Sequence, residues 1–200
     1  LSFLPVVFTG LNNFYAGENY SFGLWGLPYL PAVRHGIVAD SCYDERLDLY
    51  LNSNAAINYL VELHNNFKTW DFAVTAYCCG PTNVARAGCG QLPFDSVYNN
   101  LDSYSKDCFY RLLAFTKWMS ENETLDFNSV NNFSVSISDT VNVSSRIHFE
   151  QISSVLGISH KDLYELNPLY RCAVIDGRKK SKVINLPQGY KANFYLLHDS

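Results

Sequence analysis

The sequence predicts a mainly α-helical domain over residues 1–125, followed by a small α+β module over residues 126–200. Three observations lead to this division. Apolar residues recur at helical spacing in several segments before residue 120, a polar stretch rich in Ser and Asn follows, and strand-like and helical patterns then alternate along the rest of the chain. With 48% apolar and 17% charged residues, the composition is that of a globular protein.

Three longer helices are predicted in the first domain. Residues 54–67 read NAAINYLVELHNNF and place their apolar side chains near helical spacing on one face. Residues 70–77 read WDFAVTAY, and the sequence Cys79-Gly80-Pro81 breaks this second helix. The third helix runs from about residue 105 to residue 118 and has a broad apolar stripe. Each of these patterns is typical of a helix that packs against a core.

The second module is predicted to run strand, helix, helix, strand. The first strand is indicated by apolar residues that alternate with polar ones, namely Phe133, Val135 and Ile137. Residues 149–156 suit a helix that ends at Gly157, and Ser159 can cap a second helix. Residues 182–187, KVINLP, predict the closing strand. A unit of this kind is separate from the helical domain before it.

Charge and composition exclude several classes of function. The net charge is −4 and the longest basic run is Arg178-Lys179-Lys180, so the chain has no electrostatic footprint for nucleic acid. No segment approaches the roughly 18 consecutive apolar residues of a membrane span, so we expect no transmembrane span in this chain. No cysteines have Cys-x-x-Cys spacing and the histidines are scattered, so we expect neither a metal site nor a cofactor.

The cysteines and the first residues bear on the compartment. The chain begins with Leu1 inside an apolar segment, and we therefore expect that upstream sequence is missing, such as a targeting peptide, a lipid anchor or earlier helices. An even number of cysteines is compatible with disulfides in an oxidising compartment, although buried free thiols explain it equally well. The six are Cys42, Cys78, Cys79, Cys89, Cys108 and Cys172.

The order of several short motifs resembles a known family. Residues 4–13 read LPVVFTGLNN and residues 23–27 read GLWGL. They resemble the motifs Leu-Pro-x-x-Glu-Ser-Gly-Phe-Asn-Pro and Gly-Leu-Trp-Gln-Phe of lytic transglycosylases of the soluble and membrane-bound D types. Further resemblances follow in the family's order over residues 43–48, 55–64 and 70–86, and the later segments 158–168 and 184–187 resemble a LysM-like glycan-binding segment. The resemblance implies a lysozyme-like helical domain followed by a LysM-like module.

Four polar cleft positions of that family are replaced here. The family's glutamic acid protonates the glycosidic oxygen and then acts as a base, so one group of suitable pKa must both give and accept the proton. Phe8 stands at the matching position, and a phenyl ring can do neither. Gly26 replaces the family's glutamine, Cys78 an asparagine and Cys108 a tyrosine. The resemblance therefore implies a degenerate, non-catalytic relative, a pseudoenzyme.

The same resemblance supplies the candidate site residues. Thr9, Asn12, Trp25 and Tyr77 are candidates for glycan binding, with ordinary core packing left open for Trp25 and Tyr77. The resemblance also implies that the Cys78 and Cys108 sulfurs face one cleft, where they form either a disulfide or two buried thiols.

Acidic residues could in principle replace the lost acid. Glu18 lies in the loop between the first two motifs and is a weak candidate for a substitute carboxylate. Asp44, Glu45 and Asp48 lie in a turn, where we expect structural roles such as capping the next helix.

The leading functional hypothesis is a bacterial cell-envelope protein, exported to the periplasm, for which a lipid anchor in the missing upstream sequence is one option. It would bind peptidoglycan glycan strands or serve as a structural subunit with other envelope proteins. The alternative is an active transglycosylase that cleaves the MurNAc-GlcNAc bond with a substitute carboxylate.

Overall fold

The computed structural model describes residues 1–17, 20–122 and 138–198, and contacts divide the chain into two units. Unit 1 contains Leu1–Val38 and the described residues from 45 to 122. Unit 2 contains Ala39–Asp44 and the described residues from 138 onward. Unit 1 is helical and unit 2 combines short strands with helices, so the predicted fold class is confirmed. The predicted boundary at residue 125 lies outside the described residues and stays a prediction.

Unit 1 is built around three helices that pack side by side. Helix α3 packs on α4, and α4 packs on α7. The helices of unit 1 are α1 (Leu4–Thr9), α2 (Tyr29–Arg34), α3 (Leu49–Phe67), α4 (Trp70–Cys79), α5 (Pro81–Arg86), α6 (Phe94–Asn100) and α7 (Ser103–Glu121). The core between them is formed by fully or almost fully buried apolar side chains, among them Ala56, Leu60, Leu63, Ala73, Ala76 and Phe109.

Two of the predicted helices begin earlier than expected. Helix α3 starts at Leu49 rather than near residue 54, because the Asp48 carboxylate accepts a hydrogen bond from the Leu51 N–H at 2.8 Å. Helix α7 starts at Ser103, where Asp102 accepts from the Ser105 N–H at 2.8 Å. In each case an aspartate satisfies an N–H group that the first helical turn leaves without a partner. Asp48 thus has the capping role expected of it.

Unit 2 contains two small antiparallel sheets and three helices in its described part. Strand β1 (Ser138–Val143) pairs with β4 (Lys182–Pro187) with Val141 opposite Ile184, and β2 (Arg146–His148) pairs with β3 (Val174–Asp176). The helices are α8 (Phe149–Leu156), α9 (His160–Leu166) and α10 (Lys191–His198). The two predicted helices and the closing strand are thus present, whereas the strand predicted at Phe133, Val135 and Ile137 lies outside the described residues.

The loop Ala39–Asp44 is an integral part of unit 2. The Tyr43 ring packs against the core of unit 2, 5.1 Å from the Tyr170 ring. The Asp44 N–H donates to the Leu169 carbonyl at 2.9 Å. A disulfide joins Cys42 to Cys172, with 4.6 Å between their Cα atoms. The sequence did not indicate this pairing, because nothing in a single sequence states which of six cysteines meet.

Replacing Cys172 by serine is expected to loosen unit 2. The Cys42–Cys172 bond closes a loop of 130 residues in sequence, and restricting the unfolded chain over such a span stabilises a fold by about 2–5 kcal/mol. Hydrogen exchange of the β1 and β4 amides should therefore quicken in Cys172→Ser. The matched control is Cys89→Ser, which removes a free thiol of unit 1. Unchanged protection of both strands in Cys172→Ser would contradict the prediction.

No helix of the described chain is both long enough and apolar enough to cross a membrane.

Candidate functional site

Unit 1 contains an open cleft with a volume of about 670 Å³. Its walls come from α1, from the loop before α2, and from parts of α2, α3, α4, α5 and α7. Tyrosines are the most frequent residue type in the lining, namely Tyr15, Tyr20, Tyr29, Tyr59, Tyr77 and Tyr104. Phe8, Gly26 and Cys78, three of the four positions that differ from the family motifs, also line it. Most of the replaced motif positions therefore lie on the cleft wall.

Phe8 and Gly26 are packed against each other. The Phe8 ring lies edge-on to Tyr77, with 5.8 Å between the ring centroids. A Cβ atom built at Gly26 would lie 2.9 Å from Cδ1 of Phe8, closer than such atoms approach in proteins. Gly26 also has φ +56°, in the left-handed region that favours glycine. The Phe8 ring thus fills the space into which a side chain at residue 26 would project.

Three of the four glycan-binding candidates hold the scaffold through polar contacts. The Thr9 hydroxyl donates to the Leu24 carbonyl at 2.6 Å. The indole N–H of the buried Trp25 donates to Ser53 Oγ at 2.9 Å, and the Trp25 backbone N–H donates to Asn52 Oδ1 at 3.0 Å. The hydroxyl of the buried Tyr77 donates to the Trp25 carbonyl at 2.8 Å, and burial raises the pKa of Tyr77 far above its ordinary value. These bonds fix the turn around Trp25 to α3 and α4.

Of the four glycan-binding candidates, the structure places one in the lining of the cleft. Tyr77 contributes to the lining, whereas Thr9, Asn12 and Trp25 are absent from it. Asn12 is exposed, and its side-chain oxygen accepts from the Phe14 N–H at 2.9 Å in a local turn. Because the polar groups of Thr9 and Trp25 are already bonded to protein atoms, their placement favours a structural role. A glycan-binding role for these three residues stays a prediction.

Two of the cysteines on the cleft wall differ in state. Cys78 forms a disulfide with Cys108 of α7, with 6.1 Å between their Cα atoms. These are the positions at which the resemblance implied two facing sulfurs. The neighbouring Cys79 is a free thiol that donates to the Thr75 carbonyl at 3.1 Å, and burial raises its pKa. A thiol with a raised pKa stays protonated at neutral pH and is a poor nucleophile.

Among the described residues that line the cleft, Asp102 is the only one with a carboxylate. It accepts from the Ser105 N–H at 2.8 Å and from the Ser105 hydroxyl at 2.9 Å. These hydrogen bonds stabilise the charged form and lower the pKa of Asp102. A general acid must carry a proton at the working pH, so Asp102 does not suit that role. Glu18, the substitute predicted from the sequence, lies outside the described residues.

The other acids of the predicted turn have structural partners. The Glu45 carboxylate accepts from the Val38 N–H at 2.8 Å, and the Asp44 side chain is completely buried within unit 2. Across the described chain, no three His, Cys, Asp or Glu side chains come together as a metal site would require.

Several cleft residues were missed by sequence reasoning. Tyr20 and Tyr104 present their rings to solvent at the cleft, with 79% and 65% of their surface exposed. Tyr59 of α3 and Arg34 of α2 also line it. Burial raises the pKa of Tyr59 to about 12, against an opposing effect of the Arg34 charge. The high density of tyrosines over residues 15–29 could have indicated Tyr20 from the sequence.

Two family models match the chain. Residues 10–91 match the model described as the Transglycosylase SLT domain, and residues 138–200 match that of the Lytic transglycosylase MltD, LysM-like domain. No curated protein matches the chain. The two matches confirm the resemblance deduced from the motifs and the order of the two domains. The first match begins two residues after Phe8, so the position of the family's acid is not part of it.

Proposed function

We propose that this chain, which belongs to the lytic transglycosylase family through its SLT domain and its MltD-type LysM-like domain, is a non-catalytic peptidoglycan-binding protein of the bacterial cell envelope. The observation that carries the proposal is the packing of Phe8 against Gly26 on the wall of the cleft. The Phe8 ring stands at the position of the family's glutamic acid. It also fills the space that a side chain at residue 26, the position of the family's glutamine, would occupy. The cleft keeps its walls and loses the proton donor on which cleavage depends.

The rest of the cleft supports the loss of catalysis. Asp102 is charged and bonded to Ser105, so its carboxylate is a poor proton donor at neutral pH. Tyr77 is bonded to the Trp25 carbonyl and stays protonated. Cys78 is consumed in a disulfide. None of these side chains can give a proton to a sugar oxygen and take it back.

Binding is supported by the open volume and by the rings around it. A cleft of about 670 Å³ is large enough for a small ligand or part of a polymer chain. Aromatic rings such as Tyr20 and Tyr104 offer flat apolar surfaces against which the apolar faces of sugars can stack. The LysM-like unit 2 offers a second place for glycan. Together these features favour retention of a glycan strand without cleavage.

A periplasmic location is supported by the family and by the cysteines. Disulfides persist in oxidising compartments, and the described residues contain two, Cys42–Cys172 and Cys78–Cys108. We therefore propose a periplasmic location, as a glycan-binding protein or as a subunit of an envelope assembly.

The test is to mix the purified protein with insoluble peptidoglycan sacculi. We expect the protein to sediment with the sacculi and to release no anhydro-muropeptides, because the cleft retains its rings and lacks a proton donor. Tyr20→Ala combined with Tyr104→Ala should reduce sedimentation. Tyr50→Ala is the matched control, because Tyr50 is 77% exposed and is not part of the cleft.

Two results would overturn the proposal. Release of anhydro products would show an active enzyme that uses another carboxylate. Absence of both release and sedimentation would instead support the subunit alternative, and copurification from native membranes would identify its partner.

A further inference from the structure

Tyr59 differs from the neighbouring Tyr77 in what its hydroxyl does. The two rings pack with 5.6 Å between their centroids, and both residues are 4% exposed. Tyr77 donates to the Trp25 carbonyl, whereas the Tyr59 hydroxyl has no hydrogen-bond partner among the described residues. Such an arrangement is uncommon, because a buried tyrosine hydroxyl normally has a partner.

The Tyr59 hydroxyl is open to the cleft. Among the described residues, Asn13 Oδ1 is the only side-chain nitrogen or oxygen that is shielded from solvent and has no hydrogen-bond partner. The Tyr59 hydroxyl is thus not sealed, and Tyr59 belongs to the lining. A ligand in the cleft can therefore accept a hydrogen bond from a donor whose ring is already fixed by packing, at little cost in side-chain entropy.

Arg34 supplies a cationic group on the same wall. Arg34 and Tyr59 both line the cleft, and the ring of His35, the residue next to Arg34, lies 6.1 Å from the Tyr59 ring. One of the terminal nitrogens of Arg34, Nη1, donates to Glu62 Oε1, and the other N–H groups of this half-exposed guanidinium have no protein acceptor in the described chain. A guanidinium has five N–H donors. Several of them therefore remain available on the cleft wall.

The acidic side chains near this wall are already engaged in hydrogen bonds with protein groups. Glu62 is engaged on both oxygens, by Arg34 and by His35 Nε2 at 2.8 Å. Asp102, the acid of the lining, is bonded to Ser105 at the positive N-terminal end of α7. An arginine beside a fixed hydroxyl donor matches a carboxylate, which accepts charge-assisted hydrogen bonds on two oxygens.

We propose that Tyr59 and Arg34 form a carboxylate-binding subsite, which takes the acidic group of a muramyl residue or of its peptide stem. This subsite rests on the proposed glycan-binding function and specifies which part of the polymer the cleft distinguishes. A neutral sugar chain would occupy the tyrosine-lined walls and leave these two donors unused. The cleft would thus prefer peptidoglycan to a glycan without acidic groups.

Calorimetric titration of the whole protein tests the subsite with four ligands. They are a GlcNAc-MurNAc disaccharide with a free lactyl carboxylate, the same disaccharide with that group amidated, a disaccharide with its peptide stem, and neutral chitotetraose. Tyr59→Phe and Arg34→Gln remove the two donors. Tyr50→Phe on the same helix and Arg111→Gln on α7 are the matched controls, since both residues lie outside the cleft lining.

We expect Kd for the acidic ligand to rise about tenfold or more in Tyr59→Phe and in Arg34→Gln, and to change less than about twofold for chitotetraose. Tyr59→Phe should unfold at the temperature of the wild type. If the lactyl group is the one bound, amidation weakens wild-type binding, and if the peptide stem supplies the carboxylate, the loss is confined to the peptide-bearing ligand. Both results support the subsite.

Two other outcomes count against it. Wild-type binding that is equally strong in Tyr59→Phe and Arg34→Gln, or equal losses on acidic and neutral ligands, would overturn the subsite and leave the proposed glycan-binding function standing. If the wild type binds none of the four ligands, both proposals fail.

Discussion

Replacing Phe8 by glutamate is expected to give no measurable release of anhydro-muropeptides, although the substitution places a carboxyl group at the position matched to the family's acid. A catalytic acid needs neighbours that orient it and hold the sugar. Here Gly26 offers no side chain, the Cys78 sulfur is in a disulfide, and the Tyr77 hydroxyl is committed to the Trp25 carbonyl. The new carboxyl group would therefore have little support.

The measurement is chromatography of muropeptides after incubation with sacculi, for Phe8→Glu and for a Phe8→Gln control of the same shape. We also expect Phe8→Glu to lower the free energy of unfolding by about 3 kcal/mol, because the buried part of the ring is lost and a polar group takes its place. Anhydro products from Phe8→Glu and none from Phe8→Gln would show that the cleft retains catalytic competence, contrary to our expectation.

Substituting glutamine at Gly26 is expected to destabilise unit 1 by about 2–4 kcal/mol. Part of this cost comes from the left-handed backbone at φ +56°, at roughly 1 kcal/mol. The larger part comes from overpacking, since the new Cβ would meet the Phe8 ring at 2.9 Å, and such crowding costs about 1–3 kcal/mol. Urea unfolding followed by tryptophan fluorescence reports on unit 1, which contains Trp25, Trp70 and Trp118.

Two controls separate the two costs. Gly10→Gln places the same side chain at φ +61° where a Cβ meets nothing within 4 Å, so it measures the backbone cost alone. Combining Gly26→Gln with Phe8→Ala should cost less than the sum of the two single changes, by about 0.5–3 kcal/mol, because the two side chains compete for one space. Additive effects would show that Phe8 and Gly26 are independent.

The longer helices were predictable because their apolar faces build the core. The periodicity of residues 54–67 indicates α3, but the helix begins at Leu49, where exposed residues carry no such pattern. Its start depends on the Asp48 cap, a polar contact that periodicity does not record. Helices α1 and α2 have six residues each, too few for a repeat of 3.6 to be recognised.

The cleft was predictable only where a motif marked it. Motif order pointed to Phe8 and Gly26, and both line the cleft. Tyr59 and Arg34 lie on different helices, and their proximity comes from packing that the sequence does not state. The assignment of Trp25 to glycan was weakened for a similar reason, since its hydrogen bonds to Ser53 and Asn52 involve residues far along the chain.

The loop Ala39–Asp44 has a consequence for how the LysM-like unit could pass between proteins. A contiguous gene segment that encodes the chain from residue 138 onward would omit Cys42 and Tyr43, and it would leave Cys172 unpaired and the Tyr170 ring without its neighbour. Recombination that moved only this segment would therefore deliver unit 2 without its loop Ala39–Asp44. The two parts of this gene are therefore expected to be inherited together, and a chimera needs the loop grafted as well.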